Sequence, residues 1–403
     1  MINWISNKVG TGAYNSVVGV PERDFDIIDV RDLVDKSGNS TKDIRATIQY
    51  SVQLLKNNKR IVICCDHGIS RSNSIACGVI SLYENTSFSQ AVRKVLTKTN
   101  ETQLKTEVLE VVYRAIKTGN AGKIQKSILV LGASGDVGSV VTAKLNSSYR
   151  VIPLRKVDID LSSQLALLYV LAIENGVKYI IHLAQPRISN TNIAIGENIS
   201  ITKNVIDVCV ATGAKLIFLS SIDVFSGFSS KNLKIRGNTK TRPKGIQGIA
   251  KQLCENLIQI EADSRGLSYV IIRTGHIYGE HTRKPMFLKY MVDKAKADQP
   301  IVVHRYLNGP ARVNLLHVDD MVDLIQRIIK RNYSGIVNAG YPSSLNTYDI
   351  AVKIRDAIHS SSIVETKLIE DRKFNFIFDN KVVTEQLQWK PKINFLDTID
   401  KLY

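Results

Sequence analysis

The chain has 403 residues, of which 44% are hydrophobic and 23% charged, a globular composition that excludes disorder and collagen-like fibre and predicts two or three domains. An excess of 54 Lys and Arg over 37 Asp and Glu gives a net charge of +17. This favours anionic small ligands over nucleic acid, because no aromatic-interleaved basic motif accompanies it. No apolar run reaches the roughly 20 residues that cross a bilayer, and the first residues, MINWISNKVGTG, lack the pattern of a secretory leader. Five cysteines without paired CxxC spacing fit a reducing compartment better than a disulfide framework or a zinc site. A cytoplasmic chain with no membrane span and no metal site is therefore expected.

In chain order, the patterning predicts a strand at 26–30, a helix at 43–56, a strand at 60–64 and two further helices. Residues 118–127 (TGNAGKIQKS) are small, polar and basic and read as a linker. Beyond them, short apolar runs (SILVLG, RVIPL, KYIIHLA, KLIFLSS, SYVIIR) alternate with helical segments, as in βαβ units with a parallel sheet. The expected domains are 1–117 and 128–403.

The segment KRIVICCDHGISRS runs from a buried strand through a tight loop into a helix, with Cys65 and Arg71 separated by five residues. A loop wound between a strand end and a helix start aims backbone N–H groups at one point, which suits a phosphate and lowers the pKa of a cysteine at its start. Cys65 could then attack phosphorus, Arg71 could hold two phosphate oxygens, and Ser72 could stabilise the departing thiolate. Residues 1–117, and this segment above all, resemble the dual-specificity phosphatases among the Cys-based tyrosine phosphatases, which implies an N-terminal α/β domain of that kind. That resemblance implies Cys65 as nucleophile, Arg71 as clamp and Ser72 as thiolate partner, with a general-acid aspartate upstream. Asp35, opening the DKSGNS loop, is the first choice for the acid and Asp32 the second, Asp29 sitting too early in its strand. Cys64 stands where that family usually has His. The implied substrate is a phosphorylated protein, sugar, lipid or RNA 5′ end.

The run SILVLGASGDVG places Gly132, Gly135 and Gly138 after a strand, the spacing of a dinucleotide-binding turn. Arg155 and Lys156 stand at the end of the second strand, where an acid would meet a ribose hydroxyl, and favour the 2′-phosphate of NADP, with NAD as the alternative. From about 126 onward, HLAQ at 182–185, Asn198, LSSIDVF, Lys251, RTGHIYG, NLLHVDD and LQWKPK resemble the extended short-chain dehydrogenase/reductases, the group of sugar-nucleotide epimerases, dehydratases and reductases. The resemblance implies a Rossmann-type doubly wound parallel sheet with a small C-terminal substrate lobe, a sugar nucleotide as ligand and a homodimer through this domain. It also implies Ser221 and Lys251 as catalytic, and Asn198 and Lys251 among the residues at the cofactor. The family's tyrosine, four residues before the lysine, is Gln247 here, and an amide cannot act as a proton donor near neutrality. His182, His276 and His317 read as structural histidines. Three functions follow in order: a cysteine-dependent phosphohydrolase fused to an NADP-binding domain degenerate in hydride chemistry; a bifunctional sugar-nucleotide reductase or epimerase plus phosphatase; and a non-catalytic scaffold.

Overall fold

A computed structural model of the chain describes residues 1–401 except 22–23, 103, 118–125, 187–190, 230–232, 281–284 and 374, so most of the expected linker lies outside the described residues. The chain opens with β1 (Ile2–Trp4), β2 (Val9–Ala13), α1 (Tyr14–Val18), β3 (Asp26–Asp29), α2 (Thr41–Lys56) and β4 (Ile61–Cys65). Three helices follow, α3 (Arg71–Tyr83), α4 (Phe88–Thr99) and α5 (Thr106–Ile116). It continues through β5 (Ser127–Leu131), α6 (Asp136–Leu145), β6 (Arg150–Leu154), α7 (Leu165–Glu174), β7 (Val177–His182), α8 (Asn192–Thr212) and β8 (Lys215–Leu219). Then come β9 (Leu233–Ile235), α9 (Ile246–Arg265), β10 (Tyr269–Thr274) and β11 (His276–Tyr278). Two compact units result, one of residues 1–125 and 159–177, the other of 126–158 and 178–403.

In the first unit the sheet order is β1-β2-β4-β3, with β2, β4 and β3 parallel and β1 antiparallel at the edge. α2 buries Ile44, Ile48, Val52 and Leu55, spaced three or four apart along one face, and Ser40 caps its start by accepting from the Asp43 N–H. α3 is buried from Arg71 to Ser81, which explains its run of small and apolar residues. α7 also belongs to this unit, though its sequence lies between β6 and β7. It is apolar nearly all round, with Ala166, Leu167, Leu168, Tyr169 and Val170 buried, the composition of a helix enclosed by neighbours. Its Glu174 carboxylate accepts from the Phe88 and Ser89 N–H groups at 2.8 and 3.3 Å, where a negative charge complements the first turn of α4.

In the second unit a six-stranded sheet runs in the order Gly335–Ala339, β10, β8, β7, β5, β6. The chain steps outward from β5 to β6 and then back to β7 on the other side of β5. The carboxyl ends of β5 and β7 thus flank a topological switch point, where open α/β sheets bind ligands. Ile128, Val130, Ile181, Ile217 and Ile272 form its core together with Trp389, which is fully buried. The Trp389 indole N–H donates to the Asp320 carbonyl at 3.0 Å, and the Asp320 carboxylate accepts from the Lys392 and Ile393 N–H groups. The NLLHVDD and LQWKPK runs therefore meet in space. A separate cluster including Tyr278, Leu288, Val303, Ile350 and Phe395 forms the core of a smaller lobe. Among the described residues, no helix is long and apolar enough to cross a membrane.

Candidate functional site

The loop after β4 folds back on Cys65. The Gly68 N–H reaches Cys65 Sγ at 3.2 Å and the Ser72 hydroxyl lies 3.4 Å from it. Gly68 has φ +71°, and a Cβ there would sit 2.5 Å from the backbone of β2, so only glycine fits. Burial raises the Cys65 pKa, but hydrogen bonds from Ser72 and from the Gly68 and His67 N–H groups outweigh it, and the net shift is downward. Cys64, fully buried, is pushed up to about 11 by burial and by Asp29. Arg71 makes three hydrogen bonds of its own, and its buried Nε has no hydrogen-bond partner. One guanidinium nitrogen donates to the Arg31 and Leu33 carbonyls at 2.9 and 2.8 Å, and the other donates to Asp66 at 2.5 Å. Asp35 lies 3.4 Å from Arg71 Nε.

The second constellation forms at the switch point. Gly132 follows β5 with φ +83°, and a Cβ there would lie 2.8 Å from the Ala184 nitrogen. The Gly135 N–H closes the turn on the Gly132 carbonyl at 3.0 Å and precedes α6. A Cβ on Gly138 would stand 2.1 Å from the same carbonyl oxygen. The turn thus needs glycine at Gly132 and Gly138 and presents a helix N-terminus beside the sheet's carboxyl edge, the cradle a pyrophosphate requires. The residues present fit a dinucleotide. At the end of β6, Arg155 is held by Asp158 through two guanidinium contacts at 2.8 and 2.9 Å and a backbone bond at 2.9 Å. Lys156 is exposed and 3.7 Å from Glu197.

Two strands along, beyond β7, Ser221 and Lys251 both lie at the end of β8. Lys251 Nζ donates to the Leu219 carbonyl at 2.8 Å and sits 4.7 Å from the centre of the Phe218 ring. Burial lowers its pKa, opposed by Cys254 and Glu255. Ser221 caps the short 3-10 turn Ile222–Phe225: its oxygen accepts from the Asp223 N–H at 3.1 Å and its hydroxyl donates to the Asp223 carboxylate at 3.0 Å. Gln247 lies exposed in the first turn of α9, one turn before Lys251. The Asn198 side chain donates back to the Ala194 carbonyl at 2.8 Å, and its own carbonyl accepts from Cys254 Sγ at 3.7 Å. His182, fully buried, reaches the Thr202 hydroxyl at 3.3 Å; burial and the nearby Lys251 press its pKa down to about 3. His317 caps its helix by accepting from the Asp319 N–H. Beneath Ser221, Glu255 binds Arg273 and the Ser220 hydroxyl in a buried network. Asp223 itself was not singled out from the sequence; the only signal is the S-x-D spacing in LSSIDVF, the mark of a hydroxyl-capped turn.

Residues 128–340 match the family described as the NAD dependent epimerase/dehydratase family. The chain is 25% identical over 304 residues to CDP-abequose synthase of Salmonella typhimurium, a match covering 69% of this chain and 98% of that protein. Its fold is similar to that of the UDP-glucose 4-epimerase of Thermus thermophilus in complex with NAD (TM-score 0.61, 17% identity, 68% of this chain, 97% of that one). It is also similar to the dTDP-glucose 4,6-dehydratase of Bacillus anthracis in complex with NAD (TM-score 0.60, 17% identity, 69% and 95%). A third similar structure is UDP-N-acetylglucosamine 4-epimerase from Bacillus cereus (TM-score 0.58, 21% identity, 69% and 95%).

These matches correct the expectation of a dual-specificity phosphatase, both as the function and as the class of enzyme: family, relative and structures bear epimerase, dehydratase and synthase names. Cys65, Arg71, Ser72 and Asp35, expected as the hydrolytic site, lie outside the matched residues 128–340. At Arg71 the Asp66 carboxylate and the Arg31 and Leu33 carbonyls engage two of the three guanidinium nitrogens, and a bound phosphate would compete with them. The NADP preference expected from Arg155 and Lys156 is likewise undistinguished from NAD, since Asp158 neutralises Arg155. With its matched segment spanning more than half its length, this chain belongs to the NAD dependent epimerase/dehydratase family.

Proposed function

We propose that the chain is a nicotinamide-dinucleotide-dependent oxidoreductase acting on a nucleoside-diphosphate sugar, an epimerase, dehydratase or ketoreductase, with residues 128–403 as its catalytic domain. The observation that carries this is the glycine turn of Gly132, Gly135 and Gly138 after β5 at the switch point, with Ser221 and Lys251 at the end of β8 two strands away in the same sheet. In this proposal the turn holds the pyrophosphate and Lys251 turns from the Leu219 carbonyl to the ribose hydroxyls. Arg155 and Lys156 lie at the adenosine ribose, where a 2′-phosphate would have to draw Arg155 away from Asp158. Asn198 ties α8 to α9 near the cofactor. Bound nicotinamide would accept or supply the hydride at the sugar carbon. Ser221 would hydrogen-bond the sugar oxygen whose proton must move. The identity to CDP-abequose synthase supports a CDP-linked sugar as the first substrate to try.

The test is titration of the purified chain with NAD, NADP and their reduced forms. Turnover is then followed by nicotinamide absorbance and product analysis with CDP-abequose, UDP-glucose, UDP-N-acetylglucosamine and dTDP-glucose. Binding of a dinucleotide with turnover of one sugar is expected. Failure to bind any dinucleotide would refute the assignment.

A further inference from the structure

Oxidising a sugar hydroxyl requires a group that takes its proton, and the position that would carry a phenol is the amide of Gln247, which cannot. The structure brings a carboxylate to the same corner. Ser221 donates its hydroxyl proton to Asp223 Oδ2 at 3.0 Å while accepting from the Asp223 N–H, so its orientation is fixed and its proton is already directed at the carboxylate. Asp223 also lies against the start of α9: a Cβ on Gly248, the residue after Gln247, would stand 2.3 Å from the Asp223 carbonyl oxygen. Both Ser221 and Asp223 are only partly buried. Two other groups face Asp223 electrostatically, His276 on β11 and Lys373. Lys251, with His182, Cys254 and Glu255 around it, donates to the Leu219 carbonyl two residues before the serine.

Resting on the sugar-nucleotide function above, we propose that the Ser221–Asp223 pair carries the substrate proton in place of the phenol absent at position 247. In the oxidising direction the sugar O–H bond breaks and its proton bonds to Ser221 Oγ, as the seryl proton passes to Asp223 Oδ2. The hydride on the same carbon goes to the oxidised nicotinamide dinucleotide, leaving a ketone. One hydride and one proton leave the alcohol, and the carboxylate ends as a carboxylic acid. Reduction runs the same path backwards, the carboxyl returning its proton through Ser221. Lys373 is the cation that faces the carboxylate, whereas burial lowers the pKa of His276 and favours its neutral form.

The experiment uses the full chain as wild type, Asp223→Asn and the double variant Asp223→Asn/Gln247→Tyr, assayed with the same four sugar nucleotides. Asparagine keeps the shape and the bond from Ser221 but cannot take the proton. Asp223→Asn should lower turnover by about a hundredfold or more while dinucleotide affinity, measured by titration, stays unchanged. Adding the phenol should restore turnover and move the pH profile upward, because a phenol titrates near 10 and a carboxyl near 4 in ordinary surroundings. A structural role for Asp223 would show neither the rescue nor the shift. Wild-type turnover retained by Asp223→Asn would overturn the proposal and leave the function standing. Wild-type chain that binds dinucleotide but turns over none of the four sugars would overturn both.

Discussion

Gly138→Ala tests whether the turn after β5 is the cradle described above. The added Cβ would lie 2.1 Å from the Gly132 carbonyl oxygen, 2.9 Å from the Gly132 carbonyl carbon and 3.1 Å from the Ala133 Cα, where ordinary contact begins at 3.4 Å. All three are backbone atoms, so no flexible side chain can yield; α6 and the turn must separate by more than an ångström. Overpacking of this kind costs about 1–3 kcal/mol, and the separation breaks the alignment of the N–H groups that would face a pyrophosphate. A control of opposite sign is Gly196→Ala in α8, where a Cβ meets nothing within 4 Å. There the gain in helix propensity should stabilise the chain by about 0.5–1 kcal/mol. Urea unfolding of both variants measures the stability terms, and titration with NAD and NADP measures the cradle. Gly138→Ala should be destabilised and should bind dinucleotide at least tenfold more weakly, about 1.4 kcal/mol. Wild-type stability and affinity in Gly138→Ala would refute the account of the turn.

Asp158→Ala should free Arg155 from its carboxylate partner and raise the preference for NADP over NAD, read as the ratio of the two dissociation constants; an unchanged ratio would remove Arg155 from the cofactor site. Arg273→Met should cost about 3–5 kcal/mol in urea unfolding, because it removes the bidentate partner of the buried Glu255 carboxylate and leaves it a hydrogen bond from Ser220 and the charge of Lys251; a loss under 1 kcal/mol would contradict this. His182 is held neutral in the folded chain, its pKa pressed from 6.5 to about 3 by burial and by Lys251. Between those values the unfolded chain binds the extra proton, so stability should fall as pH drops through this window. The slope of stability against pH should be shallower in His182→Gln, and equal slopes would exclude the histidine as its source.

Much of the second unit was legible because its signals are local. The strands of SILVLG and KYIIHLA are buried on both faces, so they read as continuous apolar runs. Gly132 and Gly138 stand where backbone meets backbone, a demand that only glycine satisfies. The spacing from Ser221 to Lys251 also survives folding, since both converge on the end of β8. The Cys65 loop shows where such reading fails. Its winding around the sulfur follows from local sequence, and the lowered pKa of Cys65 follows from that winding. The fate of Arg71 does not, for two of its acceptors, the carbonyls of Arg31 and Leu33, come from residues 40 and 38 positions earlier.

The sequence by itself determined the alternation of strands and helices, the glycine turn and the residue types around it, because each depends on neighbours a few positions apart. Tertiary structure alone decided which of those groups remain available. It set Asp158 on Arg155, drew Ser221 onto Asp223 and packed α7 into the first unit though its sequence lies between two strands of the second. A side chain's chemistry is written in its type, but its hydrogen-bonding capacity is finite, and what consumes that capacity is fixed only when distant segments meet.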